Sequence, residues 1–498
     1  MEPLRSLPKW IRERTNVLNQ MSVQKDTADF VLVWLQQTLR GHDHPSIEAG
    51  LFLARELDLP ILVYHGLRCD YPYASHRLSR FILGASREMG LELRRRNIHC
   101  IQLIQRDTEH GKGMVYRLAE RAACVITDDH PTFVASAQAK AFASNVNVSC
   151  LSVDSTLLVP HRCLPDDLGS TAAFRTAHTP KRETAMDVGV EENVSSVRKS
   201  IDRLPDELME LAQLSERDLD TLVETLPIDQ KLRYGTEFEA SASAAQARLL
   251  AIDENFVRSY PSQRNNASFK FGATGLSPYL HFGMVAPWHV VSQVRSSGAP
   301  KSSAYKLLDE LLTWREWSHY RLRQNSALMR YETLPQKARA SLSEHASDRR
   351  QPELSIGDVL HGRTPDQLFN AAARSWLHTG WLHNNLRMYW AKQLLRFMPT
   401  PQGAWAAGCY INDRVSYDGR DPATYISMRW AFGEAKPGYR NLPIYGFVAP
   451  KSSVPIMKRD GMSQWTHDWS RQETVQLDCA NFAERAAMYG VAPEEIWR

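Results

Sequence analysis

The chain has 498 residues, 43% apolar and 23% charged, with a formal net charge of +4. That length exceeds one simple core and points to two domains, or to one domain with a large insertion. The balance is that of a soluble globular protein whose charge permits nucleic-acid binding without demanding it, and no apolar run is long enough to span a membrane.

Residues 1–28 form an N-terminal extension. Its opening, MEPLRSLPKWIRERTN, lacks the continuous apolar stretch of a secretory signal and reads as an amphipathic leader or arm. Over residues 29–160, short apolar runs recur: FVLVWL (30–35), PILVYHGL (60–67), IHCIQLIQ (98–105), CVITDD (124–129) and VNVSCLSVD (146–154). Between the first two, Ile47, Leu51, Leu53, Ala54 and Leu57 fall at helical spacing. Strand–helix repetition with short buried strands predicts an α/β domain with a doubly wound, Rossmann-like parallel sheet. Neither a GxGxxG after the first strand nor a GxxxxGK[ST] is present, so no dinucleotide fingerprint or P-loop is expected.

Residues 161–235 turn polar and read as an interdomain connection with one or two surface helices. From 236 to 498 the apolar spacing is helical almost throughout, which predicts an all-helical domain; it holds most of the thirteen tryptophans. The seven cysteines never form a CxxC pair, which argues against a disulfide framework or a zinc or iron–sulfur cluster and fits a reducing, cytoplasmic setting.

Four stretches of the second half carry chemistry. In GATGLSPYLHFG (272–283) a helix is expected to start near Ser277 and Pro278, with a serine cap and a proline in its first turn. A plain helix start is the simpler reading; the alternative is phosphate held by the open N–H groups, with Tyr260 and Arg264 of YPSQRNN nearby. In AYKLLDELLTWREWSHYRLRQN (304–325), Glu310, Trp314, Trp317 and Arg321 fall on one face and Leu307, Leu308, Leu311 and Leu312 on the buried side. The acid either caps a core tryptophan or rims a pocket walled by indole.

In SWLHTGWLHNNLRMYWAKQLLRF (375–397), Arg387 shares a side with Asn384 and Trp390. Burying an arginine among aromatics is costly without an anion. NDRVSYDGRDP (412–422) offers Asp418 and Asp421, as a structural ion pair or as polar groups held around something planar.

Together TGLSPYLHFG, DELLTWRE, TGWLHNNLRMYWAK and NDRVSYDGRDP resemble the photolyase/cryptochrome flavoproteins, and MYWAK and NDRxxxDGRDP with Trp430 resemble class II cyclobutane-pyrimidine-dimer photolyases. The likeness runs from about residue 29 to about 447. It implies an antenna-type α/β domain and a helical domain binding FAD. Tyr260 and Ala273, Thr274, Gly275, Leu276 and Ser277 would hold the FAD phosphates. Asn384, Arg387, Asn412, Asp418 and Asp421 would line the rest of the cofactor, with an Arg387–Asp418 bridge beside the ring and Asn412 at its N5/O4 edge.

The same likeness implies that Glu310 contacts the damaged bases, Trp314 and Trp430 wall the lesion pocket, and Met388 adds a further contact. Of three tryptophans that recharge the flavin in class II members, only Trp390 is present. Phe369 and Phe397 occupy the other positions, leaving Trp376, Trp381 or Trp405 as substitutes. Arg264, Asn265, Lys436, Arg440 and Lys451 are the expected DNA contacts, with Lys458 and Arg459 nearby. A second, antenna chromophore would be 8-hydroxy-deazaflavin or a folate. The implied function is light-driven splitting of pyrimidine dimers in UV-damaged DNA by a monomer, and the alternative is a cryptochrome-like photoreceptor without repair.

Overall fold

The structure, a computed structural model, describes residues 3–186, 201, 203–235, 237–270, 272–350, 352, 354–434 and 440–497. The chain divides into two compact units. One comprises Met1–Gln230, Glu239–Leu250 and Leu276–Ser296; the other comprises Lys231–Phe238, Ala251–Gly275 and Ser297–Arg498.

The first unit is built on a six-stranded sheet of β1 (Thr15–Val17), β2 (Phe30–Leu35), β3 (Ile61–Leu67), β4 (His99–Ile104), β5 (Ala122–Asp128) and β6 (Ser149–Val153), in the order β1-β6-β5-β2-β3-β4. β2 to β6 are parallel, as the alternating pattern predicts. Every residue of β2 is buried, which is why FVLVWL is apolar without alternation: its strand has both faces covered. The helix Pro45–Leu57 lies so close to the sheet that a Cβ on Gly50 would strike the side chains of Val33 and Ile61.

One feature departs from the sequence pattern, and one of the expected surface helices also packs a buried face. β1, within the N-terminal extension, pairs antiparallel with β6 and forms a sheet edge instead of a free arm. Its three residues, Thr-Asn-Val, are too few to show a period. The polar segment after residue 161 contains the helix Glu216–Glu224, capped by a Ser215–Asp218 box, whose Leu219 and Val223 join Leu83 and Leu211 in a buried cluster.

The second unit is helical, and among its described residues no strand is found. Among the described residues no helix is long and apolar enough to cross a membrane.

One buried acid fixes the loop that follows β2. Asp128 accepts hydrogen bonds from the backbone N–H groups of Gln36, Gln37 and Thr38 at 2.9, 2.8 and 2.6 Å. Burial pushes its pKa up, opposed by those three N–H groups. Replacing Asp128 with Ala would leave three backbone donors short of a partner. The expected loss is at least about 3 kcal/mol in urea unfolding, given about 1–3 kcal/mol for each of the three groups left unsatisfied. A loss under about 0.5 kcal/mol, the range of ordinary surface substitutions, would show that the anchor is not needed.

Candidate functional site

The charged stretch 412–422 joins two helices of the second unit, Pro401–Val415 and Pro422–Arg429. Each starts with a proline in its first turn behind a side-chain cap: Thr400 accepts from the N–H of Gly403, and Asp421 from that of Ala423. Between them the chain turns so tightly that a Cβ on Gly419 would collide with the carbonyl oxygen of Asn412. Arg420 takes a left-handed conformation, φ 65°. Its guanidinium donates to the carbonyl oxygens of Asp413, Ser416 and Tyr417. Asp413 is wholly buried and accepts from the Arg420 N–H and from the hydroxyls of Tyr425 and Tyr489, each at 2.8 Å. Burial pushes its pKa up to about 6, against the pull of Arg420 and the two tyrosines.

Arg387 answers to Asp418, not to both acids. Its Nη2 donates to Asp418 Oδ1 at 2.7 Å, Nε to the carbonyl of Leu382 at 3.0 Å, and Nη1 reaches Asn412 Oδ1 at 3.4 Å. The guanidinium also stands 5.4 Å from the centre of the Trp376 ring. Asp421 instead caps its helix and lies 3.8 Å from His319 Nε2. Asn412 and Asp418 are only 6% and 9% exposed, and one amide hydrogen of Asn412 goes to the carbonyl of Gly408 at 2.7 Å. The second amide hydrogen, the half-buried Arg387 fork and the buried Asp418 carboxylate form a donor–acceptor set beside an indole. That set fits the edge of a flat heterocycle with carbonyl and N–H groups, such as the ring of FAD.

The two indoles expected at the lesion pocket meet. The ring centroids of Trp314 and Trp430 are 4.7 Å apart, and the planes cross at 85°. Both indoles are half-buried; Trp314 lies in a π-type segment, Glu310–Arg315, a widened turn that re-aims side chains, and Trp430 opens the segment Trp430–Glu434, whose backbone leaves helical geometry at Phe432 and Gly433. The widened turn also overturns one expectation. Trp317 is not on the rim with Glu310 and Trp314: the extra residue in the turn rotates it into the core, where it stacks on Tyr320 at 5.7 Å and 12°.

Glu310 is held by two cations, Lys306 at 2.7 Å and Arg264 at 2.9 Å. Tyr260 shares this corner. Its pKa is pushed up to about 12 by burial first and by the Glu310 charge second. Arg264 and Tyr260 therefore gather at Glu310. The half-buried Met388 lies on the helix Asn384–Phe397, which packs against Trp430–Glu434.

A continuous aromatic ladder runs behind the Arg387 pair. Trp376 meets Trp390 edge-on at 5.5 Å, Trp390 stacks on Phe369 at 4.6 Å and 12°, and Phe369 meets Phe397 at 5.1 Å. Geometry thus singles out Trp376 among the three possible substitutes. Trp405 packs instead on Tyr331 and Phe432, and Trp381 on Phe238 and His383.

The remaining expected residues are more dispersed. Ala273 and Thr274 are half-buried and Gly275 is left-handed at φ 61°. The cap of the helix Ser277–His281 is Leu276, with no side-chain cap; Ser277 and Pro278 are its first two residues, so the expected serine cap is displaced by one position. Asn384 is exposed, while its neighbour Asn385 donates to the carbonyl of Asn265 at 2.8 Å. Arg440 is exposed, and Lys436 lies outside the described residues. Lys451 is half-buried; burial, then Arg459, lowers its pKa. Sequence reasoning missed Asp413, Tyr489 and Lys392. The last donates to the carbonyls of Ala431 and Ala449, and burial pulls its pKa down to about 8.

The Asp413 network predicts a pH dependence of stability. Its folded pKa of about 6 lies above the ordinary 3.8, so between about pH 4 and 6 the folded chain holds a proton that the unfolded chain has lost. The contribution of this group to stability therefore falls as pH rises through that window. Urea midpoints at pH 4, 5 and 6 should show this slope in the wild type and a flatter one in Asp413→Asn. Equal slopes would contradict the assignment.

No family model matches the chain. A deoxyribodipyrimidine photo-lyase of Methanothermobacter thermautotrophicus is 26% identical over 426 residues, covering 84% of this chain and 89% of that protein. Among solved structures, a cryptochrome of Synechocystis sp. superposes with a TM-score of 0.63 at 16% identity, covering 88% of each chain. A photolyase of Sulfolobus tokodaii, described with two FAD molecules, gives 0.59 at 14% identity over 94% of this chain and 96% of its own. Along most of its length the chain is therefore similar in sequence to deoxyribodipyrimidine photo-lyases and in fold to photolyases and cryptochromes, the family to which its motifs point.

Proposed function

We propose that the chain is a light-dependent DNA-repair lyase that binds FAD and splits cyclobutane pyrimidine dimers. The observation that carries this reading is the crossed indole pair, Trp314 and Trp430 at 4.7 Å and 85°, in the same helical unit as the Arg387–Asn412–Asp418 set. Bound FAD, reduced and excited by light, would supply one electron to the dimer and take it back, with no net redox change.

The chain's own residues do the binding and positioning. Arg387 and Asp418 neutralise each other and keep their fork and carboxylate in place without a moving counter-charge. Two half-buried indoles at right angles present one face and one edge, a corner that would receive two adjacent crosslinked pyrimidines of one strand, poorly stacked and flipped from the duplex. Glu310, pinned between Lys306 and Arg264, presents a carboxylate in a fixed orientation for hydrogen bonding to a base edge. Arg440 and Lys451 are the described cations assigned to backbone phosphate. We extend the proposal to a second, light-harvesting chromophore, because the Sulfolobus tokodaii protein is described as implying one.

The alternative is a photoreceptor without repair. Phe369 and Phe397 favour it, because phenylalanine resists oxidation and the aromatic ladder has tryptophan only at Trp376 and Trp390. The two readings part at the indole corner, which signalling does not require.

Trp314→Ala should weaken dark binding of a dimer-containing oligonucleotide by about 1–3 kcal/mol, the worth of one base–aromatic stack, with flavin content unchanged. Glu310→Gln should keep that affinity within a few-fold and lower the yield of repair per photon absorbed. Wild-type affinity in the first variant together with wild-type yield in the second would remove the lesion pocket. In a second experiment, Trp376→Phe should slow light-driven reduction of bound FAD by an external reductant, while Trp405→Phe should not. Equal rates in all three proteins would show that the ladder carries no electrons.

A further inference from the structure

The first unit carries a cluster of imidazole and carboxylate groups that the proposed function leaves unused. The loop after β2 brings His42 and Asp43, the helix Pro287–Ser296 brings His289, and the helix His76–Arg95 brings Glu92. His289 Nε2 lies 2.9 Å from Asp43 Oδ2, and His42 Nδ1 lies 3.0 Å from Glu92 Oε2. One ligand atom from each of His42, Asp43 and His289 falls within 4.8 Å of the other two. The two imidazole rings are nearly parallel, at 12°, with centroids 5.7 Å apart. His42, His289 and Glu92 line a cleft of about 350 Å³ whose apolar wall includes Leu39, Met89, Leu249 and Met284.

We propose that His42, Asp43 and His289 form a binding site for one divalent transition-metal ion of the zinc type, with Glu92 orienting His42 from behind. Two imidazoles and one carboxylate, without a thiolate, are a borderline donor set. It suits Zn²⁺, Co²⁺ or Ni²⁺ and is poor for Mg²⁺ or Ca²⁺, which take oxygen ligands.

Glu92 has the geometry of an outer carboxylate. It accepts from His42 and, at 2.6 Å, from the backbone N–H of Gly41, so it holds the ring and its tautomer and leaves the other ring nitrogen for an ion. Bonds of about 2.1 Å at tetrahedral angles put ligand atoms about 3.4 Å apart. The Asp43–His289 contact would open by about half an ångström and His42 would close in, a movement within side-chain reach.

Charge and access agree with the proposal. Glu88 and Glu92 face the cleft opposite Arg40, whose guanidinium is engaged by the carbonyl oxygens of Asp43, Ser155 and Gly283. The His42 side chain is 49% exposed and that of Asp43 27%, so an ion reaches them from solvent; His289 and Glu92, at 17% and 18%, are held more firmly. Three protein ligands leave a fourth position for water or a small ligand. His42 and His289 are far apart in sequence, so the ion would clip the helix Pro287–Ser296 to the loop after β2 and stabilise the folded state by mass action.

The test uses the full chain and the metal alone. Dialysis against Zn²⁺ should give one tightly held ion per chain and a rise in melting temperature that EDTA reverses. Co²⁺ in its place should show ligand-field bands without thiolate charge transfer, which separates this site from the seven cysteines. His42→Ala, at a largely exposed position, and His289→Ala should each abolish stoichiometric uptake while the far-ultraviolet circular dichroism stays native. Glu92→Gln should weaken it by about 10–100-fold, as outer-shell losses do. Absence of stoichiometric uptake, a thiolate band, or undiminished binding in His42→Ala would overturn the proposal. In that case the cluster is a pair of hydrogen-bonded histidine–carboxylate contacts and nothing more.

Discussion

Burying charge without paying the full desolvation penalty is the constraint on which the helical unit depends. Five charged side chains after residue 412 are withdrawn from water, and each is matched, Arg414 by the Tyr410 hydroxyl and the carbonyl of Asp478. Asp413 takes two tyrosine hydroxyls and a backbone N–H, Arg420 spreads over three carbonyl oxygens, Asp418 takes Arg387, and Asp421 caps a helix. Unmatched, any of these groups would cost several kcal/mol. Matched, they fix the angle between the helices Pro401–Val415 and Pro422–Arg429. The second of these runs directly into Trp430.

The position of the indole corner follows from that turn, from the widened segment Glu310–Arg315 and from the kink after Trp430. A regular α-helix through residues 310–317 would put Trp314 and Trp317 on the same face. The π-type turn separates them, sending one indole to a half-exposed corner and the other into the core. Widened turns lose regular hydrogen-bond geometry, so they persist only where packing over-determines them. Here the packing is supplied by the edge-to-face contact of Trp314 with Trp430 and by the ion pairs of Glu434 with Arg321 and Arg429.

Much of this was legible in the sequence, and what was not has a physical reason. Continuous runs such as FVLVWL announce strands covered on both faces, whereas Thr15–Val17 is too short to announce anything and is fixed only by its partner β6. Asp418 and Asp421 are indistinguishable in composition; the cap geometry of the following helix decides which one meets Arg387. Trp317 leaves the face that helical spacing assigns it because that spacing assumes an unbroken period. Asp413 carries no local signal because one of its partners, Tyr489, lies 76 residues away, beyond any local pattern. The His42–Asp43–His289 cluster is hidden for the same reason: its ligands come from segments far apart in the chain.

The most direct test is optical. Reduced protein with flavin bound, mixed with an oligonucleotide carrying a cyclobutane thymine dimer, should restore thymine absorbance under blue light and leave it unchanged in darkness. Flavin that stays bound and reduced through illumination while the thymine absorbance fails to return would contradict the account.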